Sequence, residues 1–170
     1  MNDFHRDEWL QSQFLHMPLN WSAAIGAGIV AGVVATGAQV VLWWSFTDAL
    51  PAILFRDARL AAAILMGPEV LPPPATFDWQ VMAAATFIHF AISMAYGLIL
   101  GWLISHFGMG TGFSLLAGSI YGLTLYVINM YGVTFVFPWF SAARDWITVV
   151  AHVVFGISLA WTYKALSKTQ

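Results

Sequence analysis

Long apolar stretches, separated by shorter polar segments, dominate this chain. Four of them are long enough to cross a bilayer as helices, which takes about 20 residues each. They cover residues of about 21–44, 79–105, 112–133 and 141–166. The first two are flanked by tryptophans, the side chains that favour the membrane surface, at Trp21, Trp44, Trp79 and Trp102. The pattern predicts an all-α integral membrane bundle of four transmembrane helices.

Two further segments mix polar and apolar residues at helical spacing. They lie at about residues 3–16 and 52–67, and we expect both to be amphipathic helices at the membrane surface. Asp78 and Ser141 are the expected N-caps of the second and fourth spans, and Pro138 is expected to end the third. Four spans place both chain ends on one side, here named the terminal side. The opposite side, with the segments joining spans one to two and three to four, is named the loop side.

Composition supports a membrane protein and excludes several classes of function. The chain is 60% hydrophobic and only 8% charged, whereas soluble domains are about 25% charged. The absence of cysteine excludes disulfides, cysteine-ligated metals and thiol catalysis. A net charge of −2 argues against nucleic-acid binding. Four spans occupy most of the 170 residues, so we expect a single transmembrane domain over residues 1–170.

The number of basic residues is the same on both sides of the membrane, so the count alone does not set the orientation. Three lie on each side: Arg6, Lys164 and Lys168 on the terminal side, and Arg56, Arg59 and Arg144 on the loop side. Lys164 and Lys168 have no acidic neighbours, so the positive-inside rule favours cytoplasmic termini in a bacterial inner membrane.

Spans one and three share a pattern of small and polar residues. Each residue of the first set has a counterpart 90 positions later: Gly28, Gly32 and Gln39 match Gly118, Gly122 and Asn129. This is consistent with a parallel repeat of a helical hairpin. Glycines four apart let another helix pack closely. Each glycine strip therefore packs within the bundle or serves a partner chain.

Four polar side chains are expected at similar depth in the loop-side half of the membrane. They are His89, His152, Asn129 and Gln39. Ionisable groups at such depth face the bundle interior and carry a functional hypothesis by default. Three interpretations remain open: hydrogen bonds that fix helix packing, a path for a proton or small solute, or bis-histidine ligation of a b-type haem. We expect no bound cofactor, because the four groups can satisfy one another.

Several segments together resemble a group of small bacterial inner-membrane proteins of about this length, which often carry the label sodium:proline symporter. The segments are "LPPPATFDW", "FIHFAISMAYG", "LYVINMYGVTFVFPWFSAARDW" and "AHVVFGISLAW", and the likeness covers roughly residues 20–165. The resemblance implies a multi-pass protein without known chemistry. Sodium symporters of that kind are several times larger, so the label itself fits this chain poorly.

The leading functional expectation is a non-enzymatic accessory subunit of a multi-subunit inner-membrane complex, one that transduces energy. It depends on the absence of catalytic motifs and on small-residue strips that a partner could use. Arg144 and Asp145, at the start of span four, are a possible partner-facing pair or an interfacial anchor. The alternative is a small oligomeric transporter or channel that uses the polar layer as its pathway. The expected partners are the lipid bilayer and other membrane subunits.

Overall fold

The computed structural model of the chain describes residues 18–168, and this part is helical without a strand. Its helices are α1 (Trp21–Phe46), α2 (Ala52–Met66), α3 (Trp79–His106), α4 (Thr111–Val127) and α5 (Trp146–Ser167). Four segments are long and apolar enough to cross a membrane: α1, α3, α5, and α4 with its continuation to Phe135. The expected surface helix at residues 3–16 lies outside the described residues, whereas α2 occupies the second expected position.

Side-chain caps fix where the long helices begin. Asn20 Oδ1 accepts from the backbone N–H of Ala23 at 3.0 Å, and this bond begins α1. Asp78 Oδ1 accepts from the N–H groups of Gln80 and Val81 at 2.9 and 3.1 Å, so the cap expected for α3 is present.

The start expected for the fourth span, at Ser141, is wrong. Pro138 instead begins a 3₁₀ segment, Pro138–Ala143, in which the Ser141 hydroxyl donates to the Pro138 carbonyl at 2.8 Å. Asp145 is the actual cap, because its carboxylate accepts from the N–H of Thr148 at 2.8 Å. Helix α5 therefore begins five residues later than predicted, at Trp146.

The third span does not stay α-helical to its predicted end at residue 133. After Val127 the backbone widens into a π turn, Ile128–Gly132, and then tightens into a 3₁₀ turn, Val133–Phe135. Arg144 reaches back to this region, and its Nε donates to the Met130 carbonyl at 2.7 Å. A guanidinium thus bonds a carbonyl in the non-α part of this span, where the regular ladder is lost.

The bundle is built from two antiparallel helix pairs, α1 with α3 and α4 with α5, joined through close packing of α1 on α5. Small residues face each other in both pairs. A Cβ added at Gly28 would lie 2.5 Å from the Ser93 carbonyl oxygen, and Gly118 and Gly156 meet backbone to backbone. Gly32 and Gly122 likewise face α3 and α5. Both glycine strips therefore lie in contacts within the chain.

The terminal-side half of the bundle is densely packed. Leu100, Ile104 and Leu159 are at most 2% exposed. Next to Ile104, the hydroxyls of Ser105 and Tyr163 share a hydrogen bond of 2.5 Å.

Helix α2 folds back over the loop-side end of the bundle. The Trp139 indole N–H donates to the Leu60 carbonyl at 3.0 Å and ties α2 to the Pro138–Ala143 segment. The Arg59 guanidinium donates to the carbonyls of Val70 and Thr76 at 3.0 and 3.1 Å, which fixes the proline-rich segment that follows α2. Helix α2 therefore packs on α3 and contacts the Pro138–Ala143 segment, and we name it the roof of the loop-side half.

Candidate functional site

A cavity of about 430 Å³ lies beneath α2 in the loop-side half of the bundle. All four residues of the predicted polar layer line it: Gln39, His89, Asn129 and His152. Five other polar residues contribute to its walls: Thr36, Asp57, Ser93, Tyr96 and Thr148. The remaining lining side chains are apolar, and most of them are aliphatic. The structure therefore brings the predicted layer together around one space.

A directional hydrogen-bond network runs along one wall of the cavity. The Tyr96 hydroxyl donates to Asn129 Oδ1 at 2.6 Å, and Asn129 Nδ2 lies 3.3 Å from His152 Nε2. His152 Nδ1 lies 2.8 Å from the Thr148 carbonyl oxygen. Because a carbonyl only accepts, Nδ1 carries the proton and Nε2 accepts from the Asn129 amide. His152 is thus held as a neutral imidazole with both nitrogens engaged.

The opposite wall holds its polar groups more loosely. His89 Nε2 lies 3.4 Å from the Thr36 hydroxyl, and Gln39 Nε2 lies 3.5 Å from the Thr148 hydroxyl. Both distances are at the long end for hydrogen bonds. The two histidines are therefore not equivalent: His152 has a short contact with a carbonyl and one with an amide, whereas His89 has a hydrogen bond to the Gly32 backbone and a long contact with the Thr36 hydroxyl.

One carboxylate, Asp57 of α2, faces the cavity from its roof. It pairs with the neighbouring Arg56, whose guanidinium nitrogen lies 2.7 Å from the carboxylate oxygen. Burial raises the pKa of Asp57 above its ordinary value, and the charge of Arg56 opposes this only in part. This position of Asp57 could not be predicted from the sequence, because it depends on how α2 packs on the rest of the chain.

The cavity ends at about the middle of the bundle. Its deepest lining residues in α3 and α5 are Tyr96 and Phe155, and the next layer towards the terminal side is the packed core of Leu100 and Leu159. The cavity therefore does not extend past this packed layer. The space is a chamber with a closed floor.

Arg144 and Asp145 use their polar groups inside the chain. Besides the Met130 carbonyl, the Arg144 guanidinium contacts the Thr134 hydroxyl at 2.9 Å and lies over the Tyr131 ring, 4.4 Å from its centroid. Asp145 caps α5. Both residues hold together the junction between the third and fourth spans.

The described residues contain no group of three or more histidine or acidic side chains arranged to hold a metal ion. Haem ligation by His152 would require its Nε2 to leave Asn129. Tyr96 lies seven residues after His89 on the same face of α3, so helical periodicity already indicated its place near the layer.

Comparison of the chain with protein-family models, with curated proteins and with solved structures finds no match.

Proposed function

We propose that this chain is a non-enzymatic, multi-pass protein of the bacterial inner membrane that works as a small carrier. It binds its solute in the loop-side chamber, with the termini in the cytoplasm. The observation that carries the proposal is the chamber itself, which has polar groups on two walls and a packed floor. Carriers hold their substrate near the middle of the membrane, where this chamber has its floor, and expose it to one side at a time.

The outer surface of the bundle supports insertion into lipid. Large apolar side chains face outwards on the long helices, and examples that are more than half exposed are Val33, Phe87, Leu116 and Ile120. Soluble monomers rarely leave contiguous apolar surface of this kind uncovered. Lipid chains would cover it without cost.

The irregular backbone at Ile128–Phe135 also fits a carrier. Within a bilayer, non-α backbone is tolerated only where protein or a water-filled space satisfies its polar groups. Here it borders the chamber, since Asn129, Met130 and Val133 line the cavity. π turns within helices frequently mark functional positions.

The same geometry favours binding over catalysis. His152 is oriented by an amide and a carbonyl, and His89 contacts a threonine hydroxyl. Among the described residues neither histidine has a carboxylate at hydrogen-bond distance, and Nε2 of His152 is engaged by the Asn129 amide rather than by a hydroxyl nucleophile.

The accessory-subunit hypothesis remains a prediction with less support than the carrier. The glycine strips on which it depended pack inside the chain, as do the contacts of Arg144 and Asp145. Purification in a mild detergent separates the two hypotheses. A subunit co-purifies with different membrane proteins, whereas a carrier migrates as a monomer or homo-oligomer.

Single cysteines test the carrier directly, because the chain has none of its own. Ala35 lines the chamber, and Ala27 lies two turns away on the same face of α1 in the packed half. In proteoliposomes, a membrane-impermeant thiol reagent should modify Ala35→Cys from the loop side. It should modify Ala27→Cys more slowly and only from the terminal side, as the bundle exchanges between its two states.

Each outcome decides part of the proposal. An Ala35→Cys variant that is inert from both sides would refute the chamber and the carrier together. Modification of Ala35→Cys from the loop side, with Ala27→Cys inert from both sides, would leave a static binding chamber and refute transport. Thermal unfolding of both variants shows whether either substitution disturbs the fold.

A further inference from the structure

The walls of the chamber favour an uncharged occupant. No lysine or arginine is among the described residues that line it. An anionic head group would therefore enter a space of low dielectric constant without a cation to pair with. The one carboxylate, Asp57, already has Arg56 at 2.7 Å. A cationic head group would have to compete with that guanidinium.

The loosely held wall offers hydrogen bonds to such an occupant. The long contacts of His89 with the Thr36 hydroxyl and of Gln39 with the Thr148 hydroxyl can yield to a closer partner at little cost, while the hydrogen bond of His89 to the Gly32 backbone stays in place. A hydroxyl group can donate to an imidazole nitrogen, and a hydroxyl or carbonyl oxygen can accept from the Gln39 amide. The wall therefore fits a ligand whose polar atoms are neutral oxygens.

Four aromatic side chains also line the chamber. Tyr96, Phe137, Phe140 and Phe155 line it from three different segments of the chain. Aromatic rings pack favourably against one another, edge to face or offset. The volume of about 430 Å³ lies low in the range typical of small-molecule sites. Both features favour a ring compound over a phospholipid.

The side wall between α3 and α4 is the weakest part of the bundle. These two helices make few contacts with each other, whereas α1 packs closely on α3 and α5, and α4 packs closely on α5. Tyr96 is their main bridge, because its hydroxyl bonds Asn129 and its carbonyl accepts from the Tyr121 hydroxyl at 3.2 Å. On the loop side of this bridge, Ile92 lines the cavity and is also exposed on the outside.

We infer that the chamber takes an uncharged ring compound with hydroxyl or carbonyl oxygens, of the phenol or quinone class, which reaches it from the bilayer between α3 and α4. The ring lies among the aromatic side chains, and its oxygens meet Gln39 and His89. The inference rests on the proposed function, because it names the class of solute for the same chamber.

Protection of the Ala35→Cys thiol tests the ligand class. The full chain in proteoliposomes is modified from the loop side in the presence of one of three probes that carry a decyl chain: para-decylphenol, decyltrimethylammonium, or the long-chain anion decyl sulfate. At about nine times its dissociation constant, para-decylphenol should slow modification about tenfold, because the rate falls by the factor 1 + [L]/Kd. The cationic and anionic probes should leave the rate unchanged.

Variants test the contacts and the route. Gln39→Leu should weaken para-decylphenol binding about three- to thirtyfold, the effect of one hydrogen bond inside a membrane. Gln80→Leu, at the exposed start of α3, should have no effect. Ile92→Trp should slow the onset of protection by narrowing the gap between α3 and α4. Ile99→Trp, exposed on the same helix outside the cavity, should leave the onset unchanged.

The inference and the proposed function fail in different ways. If Ala35→Cys reacts normally and para-decylphenol gives no protection, or a charged probe protects equally, the ligand class is wrong and the chamber stands. An unchanged affinity of the Gln39→Leu variant for para-decylphenol would also overturn the proposed ligand class. If Ala35→Cys does not react from the loop side without any probe, the chamber itself is refuted.

Discussion

Substitution of Gly28 by alanine should drive α1 and α3 apart. The added Cβ would lie 2.5 Å from the Ser93 carbonyl oxygen and 2.9 Å from the Met94 Cα. Carbon atoms prefer separations of about 3.5–4.0 Å, so α3 must retreat by about 1 Å. Both atoms belong to backbone, and a rotamer change cannot relieve the contact. Overpacking of this kind costs about 1–3 kcal/mol, and the better helix propensity of alanine offsets part of that cost.

Gly37 provides a matched control on the same helix. A Cβ at Gly37 meets nothing within 4 Å, so Gly37→Ala should be neutral or stabilise the protein by about 0.5–1 kcal/mol. Reversible unfolding in mixed detergent micelles measures the difference in free energy of unfolding. We expect Gly28→Ala to lose about 1–2 kcal/mol. A Gly28→Ala variant as stable as Gly37→Ala would refute the close approach of α1 and α3.

Three further predictions concern polar side chains. His152→Leu should lower the free energy of unfolding by about 1–3 kcal/mol, because it removes two hydrogen bonds of the chamber wall; thermal unfolding measures this. Asp145→Ala should cost about 0.5–2 kcal/mol through loss of the α5 cap, whereas Ser141→Ala, used in a local turn, should cost less in the same assay. Because burial raises the pKa of Asp57, the folded state loses stability as pH rises through that pKa, despite Arg56. Asp57→Asn should therefore be the more stable protein at pH ~7, with an advantage that vanishes below pH ~3.8 in unfolding measurements; an unchanged pH profile would contradict this.

Hydropathy alone was sufficient to predict the four apolar helices, because spanning a bilayer demands about 20 apolar residues in succession. The Asp78 cap was equally visible, since an acidic residue directly precedes the apolar run. The structure of the junction between the third and fourth spans could not be predicted in this way. Its π turn, and the shift of the helix start from Ser141 to Trp146, accompany the contact of Arg144 with the Met130 carbonyl. That contact is tertiary and leaves no periodic signal.

The polar layer was predictable because depth in a helix follows from residue counting. Gln39, His89, Asn129 and His152 were placed at one level, and all of them line the cavity. The different bonding of the two histidines could not be predicted, since it depends on which neighbours lie across the helix interface. The position of α2 could not be predicted for a similar reason, because the hydrogen bond between Trp139 and Leu60 joins residues 79 positions apart.

The central claim is that a membrane-spanning bundle holds a chamber in the half that lies away from its termini. One labelling series tests it, with single cysteines at Glu69 in the loop-side segment after α2, at Lys168 after α5, and at Ala35 in the chamber. In oriented proteoliposomes, an impermeant thiol reagent should modify Glu69→Cys and Ala35→Cys from one side and Lys168→Cys from the other. The account is contradicted if Glu69→Cys and Lys168→Cys react from the same side of the membrane. It is also contradicted if Ala35→Cys reacts from the same side as Lys168→Cys.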